Sequence, residues 1–93
     1  MSKTASSRVK IANKLGLHAR PAMLFVEAAT AFDSDIAVRR ADQDETIDGK
    51  SIMQMMMLAA TKDTEIEIVA TGDDAEEAIR QLVDLVKSSF RGE

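Results

Sequence analysis

Residues able to act together on one chemical group stand close together at His18, Arg20 and Pro21, in the stretch NKLGLHARPAM from Asn13 to Met23. His18 is the chain's one histidine and Pro21 its one proline. A helix that begins here leaves first-turn N–H groups without carbonyl partners and carries roughly half a positive charge at its start, so it favours anions. A histidine at such an end can offer a neutral ring nitrogen as a nucleophile near neutral pH. A phosphoryl group on that nitrogen would meet the helix amides, and Arg20 could bring a guanidinium whose fork suits phosphate oxygens. Pro21 suits a first turn, where its missing N–H costs no helical bond. It also biases Arg20 away from α-helical angles. No water-activating carboxylate pair, metal or nucleotide cradle accompanies the trio, so the chemistry reads as group carriage rather than complete catalysis. The same residues also fit a plainer role as a surface histidine, a solvated arginine and a helix starter, and spacing does not separate the two.

The elements that must position this loop follow from periodicity. SRVKIA alternates, with Val9 and Ile11 on one face, and reads as a half-buried strand. Ala22, Phe25, Val26, Ala29 and Phe32 recur at spacings of three and four, which predicts a helix over about 19–31. SDIAVRR alternates again and, after the polar ADQDE, a short TID segment predicts a hairpin with a weak second strand. GKSIMQMMMLAA places Ser51 as the N-cap of a second helix. TEIEIVA is the clearest strand, alternating Ile66, Ile68 and Ala70 with Glu65, Glu67 and Val69. Ala75, Ala78, Ile79, Leu82, Val86 and Phe90 then form the apolar stripe of a third helix that opens with acids. The order β-α-β-β-α-β-α, with each helix apolar on one face, predicts a two-layer α/β sandwich. The 93 residues hold no repeat or linker and read as one domain, 1–93.

Composition removes several functions. A net charge of −4, no Trp, no Tyr and only three Phe argue against nucleic acid, which needs clustered cations or stacking aromatics. Without cysteine there are no disulfides or thiol nucleophiles. One histidine among scattered carboxylates offers no metal-ligand spacing, and no cofactor is implied. No stretch approaches the ~18 apolar residues of a membrane span, and the N-terminus lacks an apolar signal core, so the chain reads as cytoplasmic.

LGLHARPAM resembles the active-site segment of the HPr family, the histidine phosphocarriers of the bacterial phosphotransferase system. DGKSIMQMMMLAA is similar to the family's second signature, and the resemblance runs along nearly the whole chain. It implies an antiparallel four-stranded sheet covered on one face by three helices. It implies that His18 takes a phosphoryl group on Nδ1 and that Arg20 stabilises it. Pro21 and Gly16 would then match the family's proline and its small loop residue. Phosphorylated enzyme I, charged from phosphoenolpyruvate, would be the donor and enzyme IIA-type proteins the acceptors. The NKLG-HARPAM form is similar to the nitrogen-related branch (NPr-like), in which Leu15 replaces a residue often polar in sugar-transport members.

Ser51 reads as an N-cap and, through the resemblance, also as a regulatory phosphorylation site for HPr kinase/phosphorylase, with a transcription regulator as a further partner. Of Met53, Met55, Met56 and Met57, consecutive positions turn by about 100°, so Met53 and Met57 share a side. Core filling accounts for at least two of the four. Exposed ones would form an adaptable docking surface with Gln54, rimmed by Lys50. A monomer suits a protein that shows one face to successive partners. Two rival readings are a purely regulatory binding module acting through Ser51, and a plain interaction domain with an incidental histidine.

Overall fold

The computed structural model describes residues 3–58 and 60–92. Strand β1 (Lys3–Lys10) is followed by helix α1 (Ala19–Thr30), strands β2 (Asp35–Arg40) and β3 (Ile47–Asp48), helix α2 (Ile52–Met57), strand β4 (Glu65–Gly72) and helix α3 (Ala75–Lys87). The strands form one sheet in the order β1-β4-β2-β3, antiparallel throughout. The predicted sandwich is the one observed.

Strand alternation decides the faces. Val9 pairs with Ile66, Val38 with Ile68 and Ile36 with Ala70, and all six side chains are buried. They meet Phe25, Ala29, Leu82 and Val86 from α1 and α3 in a single core cluster. Each large apolar side chain fully buried there contributes about 1.5–3 kcal/mol relative to exposure. The opposite sheet face carries charge: the Arg39 Nε–H bonds Glu67 at 3.0 Å, and Arg8 approaches Glu65 and Glu67 at 3.6 and 3.8 Å. Surface pairs such as those of Arg8 add little stability, so the helix-facing side holds most of the fold together.

β1 begins at Lys3, earlier than SRVKIA predicts, because Thr4 and Ala5 find partners in Thr71 and Ala70. Ladder bonds to β4 extend the strand where its own residues carry no alternation. Phe90 reaches the core by a different route from the one its spacing predicts. α3 stops at Lys87, and Ser89, Phe90 and Arg91 turn left-handed at φ 54°, 55° and 62° before Phe90 is buried. Leu85 is buried on α3 as well.

A latch ties two turns. The Asp74 carboxylate accepts the Ser34 hydroxyl and the N–H groups of Asp33 and Ser34, the last two at 2.8 and 3.0 Å. Asp74 is the N-cap of α3, yet its side chain caps no N–H of its own helix. No described helix is long and apolar enough to cross a membrane.

Candidate functional site

The loop that carries His18 is fastened at both ends. Ile11 N–H donates to the Thr64 carbonyl at 2.9 Å, Asp63 N–H to Ile11 at 2.8 Å, and Leu17 N–H to Ala60 at 2.8 Å. These bonds press the loop against the segment that leads from α2 into β4. The approach is close enough to require glycine at position 16. A Cβ there would stand 2.7 Å from the Ala60 oxygen and 2.8 Å from Thr61 Cα, and φ is +72°. Both the space and the left-handed conformation exclude a side chain.

His18 is the N-cap of α1, extended at φ −89° and ψ −167°, half-buried, and its ring makes no capping hydrogen bond. Its carbonyl accepts the first helical bond, from Ala22 N–H at 3.0 Å, and its own N–H donates to the Gly16 carbonyl at 3.1 Å. Pro21 is buried against the core and brings no N–H, so the first-turn amides ahead of the helical ladder are those of Ala19 and Arg20. The first turn of α1 contains no acidic residue. The positive end of the helix is therefore not answered by a carboxylate of its own turn.

Arg20 is exposed and lies inside α1, although the following proline biases it away from that conformation. The preference is outweighed by burial of Pro21 and by the helical bond that begins at Ala22. The structure thus brings His18, Arg20 and Pro21 to one helix start, as their spacing predicts, with Gly16 in the loop just before it.

The family described as the PTS HPr component phosphorylation site matches residues 5–88. The chain belongs to the HPr family. It is a phosphocarrier of the phosphotransferase system. The phosphocarrier protein HPr of Neisseria meningitidis is 46% identical over 82 residues, 88% of this chain and 90% of that protein. The phosphocarrier protein NPr of Escherichia coli K12 is 38% identical over 87 residues, 94% and 96% of the two chains. The crystal structure of HPr-C-His from Thermoanaerobacter tengcongensis superposes with a TM-score of 0.88 at 44% identity, covering 96% of this chain and 98% of that one.

The second HPr signature places Ser51 at φ −113° and ψ 116°, where its Oγ accepts Gln54 N–H at 3.2 Å as the N-cap of α2. Two neighbours are tied into the fold. The Gln54 side-chain oxygen accepts Asp48 N–H at 2.9 Å, and the Lys50 ammonium donates to the Phe32 carbonyl at 2.8 Å, just past the end of α1. A cation at that helix end is electrostatically favoured.

Only Met55 of the four methionines fills the core, which corrects the expectation of at least two. A six-residue helix lying on the protein has one inward position at the middle of its turn. Met53 and Met57 share the outer side at 74% and 73% exposure, and Met56 is also exposed. Leu15 (75% exposed), Met23 and Ile52 complete the large apolar side chains exposed among the described residues. All six belong to the His18 loop, α1 or α2.

Two residues with a supporting role are absent from the spacing argument. Asp74 holds the latch, and Asn13 is buried inside the His18 loop, its Nδ2 donating to the Gly16 carbonyl. An Asn three residues before a turn glycine is itself a signal, since its amide readily bonds nearby backbone.

Proposed function

We propose that His18 is the residue that carries the phosphoryl group, accepting it on Nδ1 from phosphorylated enzyme I and passing it to enzyme IIA-type proteins. The ring nitrogen lone pair attacks phosphorus as the bond from phosphorus to the donor breaks. The reverse exchange delivers the group, and no water or redox partner is consumed. Arg20 and the first-turn amides of α1 stabilise the phosphoryl oxygens, Gly16 shapes the loop, and Pro21 anchors the helix start. The observation that carries this reading is the chain's one histidine, standing as the cap of a helix start free of acids.

Met53, together with the exposed Met56, Met57, Ile52, Leu15 and Met23, forms the docking surface for donor and acceptor, and the protein works as a monomer. Lys50 and Gln54 support this surface by fixing α2 through Phe32 and Asp48. Met side chains repack readily, which suits successive partners.

Incubation with phosphoenolpyruvate and the cognate enzyme I should give an acid-labile label that is lost in His18→Ala. Absence of label on the wild-type protein, or its survival in His18→Ala, overturns the assignment.

Ser51 is the regulatory site in the same reading, favoured by its hydroxyl standing at the start of α2, where a phosphate is electrostatically welcome. HPr kinase/phosphorylase would modify it, and a transcription regulator would read the product. ATP with that kinase should give an acid-stable label that disappears in Ser51→Ala. A label that persists in that variant refutes the role.

A further inference from the structure

Among the described residues only two polar side chains are buried, Ser34 and Asn13. Ser34 is explained by the Asp74 latch. Asn13 is 2% exposed, and no group among the described residues donates to its Oδ1. A residue needed only for packing there would be apolar. What the amide supplies is its donor, Nδ2, directed at the Gly16 carbonyl.

That carbonyl is a junction. It accepts Asn13 Nδ2 from one side and the His18 N–H at 3.1 Å from the other, while Gly16 N–H donates back to the Asn13 carbonyl at 3.1 Å. Gly16 is conformationally the freest residue type and stands at φ +72°. The peptide plane joining Gly16 to Leu17 is tied at its N–H edge, where Leu17 donates to Ala60, and Asn13 Nδ2 ties the opposite, carbonyl edge of the same plane. Without Nδ2 the carbonyl keeps only the bond from His18, whose donor lies two residues away in a tight turn.

We propose that Asn13 is a positioning residue for phosphoryl transfer: by clamping the Gly16 carbonyl, which also holds the His18 N–H, it fixes where the His18 ring stands relative to the start of α1. The inference rests on the reading of His18 as acceptor. Misplacement of a reacting group by about 1 Å can cost on the order of a hundredfold in rate, so a clamp acting on the backbone of the acceptor is felt in the transfer step. Asn13 has no part in the docking surface, which lies on exposed side chains, so binding of partners should be spared.

The test compares Asn13→Ala with Ser34→Ala, which removes the other buried polar side chain, in phosphoryl transfer from enzyme I. Asn13→Ala should lower kcat about tenfold with KM within about twofold of wild type, and the His18 N–H should exchange with solvent about tenfold faster. Ser34→Ala should lower thermal stability while leaving kcat, KM and His18 exchange unchanged. A kcat within twofold of wild type in Asn13→Ala overturns the inference. So does an equal loss of kcat in Ser34→Ala, since the effect then follows stability alone. If Asn13→Ala does not fold, Asn13→Leu, similar in size but without a donor, takes its place, with a reduced kcat supporting the clamp and a wild-type kcat refuting it. A wild-type protein that takes no label on His18 overturns both this inference and the assignment beneath it. A labelled wild type with an unimpaired Asn13→Ala overturns only the clamp.

Discussion

The starts of α1 and α3 solve the same electrostatic problem in opposite ways. α3 opens with Glu76 and Glu77 in its first turn and closes with Lys87 in its last, so its dipole is answered from within. Glu77 also pairs with Arg80, which holds the Glu77 carboxyl below its ordinary pKa and raises that of Arg80. α1 has no acid in its first turn and no base in its last, and the His18 ring makes no capping bond. The cation nearest its far end is supplied by another element, Lys50 at the Phe32 carbonyl. A helix built for stability alone would be completed as α3 is. On the proposed reading of His18, the positive start of α1 is where the phosphoryl group would be received.

An acid placed in the first turn of α1 should have the largest effect. Ala19→Glu should strengthen the helix by about 0.3–1 kcal/mol while lowering phosphoryl uptake about tenfold, because a fixed carboxylate occupies the field meant for phosphoryl oxygens. Thermal unfolding and labelling by enzyme I measure the two effects, and a stabilised variant with undiminished uptake would remove the contrast. A smaller effect is expected at the cap of α3. Hydrogen bonds from the Ser34 hydroxyl and the Asp33 N–H hold the Asp74 carboxyl below its ordinary pKa. The folded state therefore binds that proton less tightly than the unfolded chain. Asp74 contributes its full stabilisation above the unfolded carboxylate value, about 3.9, and loses it as pH falls toward the lower folded value. Asp74→Asn should lower the thermal midpoint at neutral pH and flatten the acid limb of stability below about pH 4, with labelling unchanged. The smallest effect belongs to Glu76→Gln, which should cost only a few tenths of a kcal/mol in chemical denaturation and nothing in transfer.

Much of this architecture is legible in the residues themselves. The alternation in TEIEIVA fixes which side of β4 is buried, and Ala22, Phe25, Val26 and Ala29 define the inner face of α1. The cap at Ser51 follows from its hydroxyl and the helix formers after it. Illegible parts depend on neighbours distant in sequence. Early β1 residues become a strand only through pairing with β4. The methionine run could not announce that Met55 alone turns inward, because periodicity gives relative directions and no absolute one. Asp74 reads as one acid among several in sequence, and its partners Asp33 and Ser34 lie some forty residues away.

The element order, the two periodicities that set the layers, and the trio of His18, Arg20 and Pro21 at a helix start are local properties of side-chain type and spacing, and so are written in the chain. The rest arises from packing between distant segments. That packing set the clasp of the His18 loop against Ala60 and Thr64, the glycine that this contact demands, and the buried amide of Asn13 turned onto the Gly16 carbonyl. Those features are contacts between separated segments or conformations held by them, and only a packed core brings their partners within bonding distance.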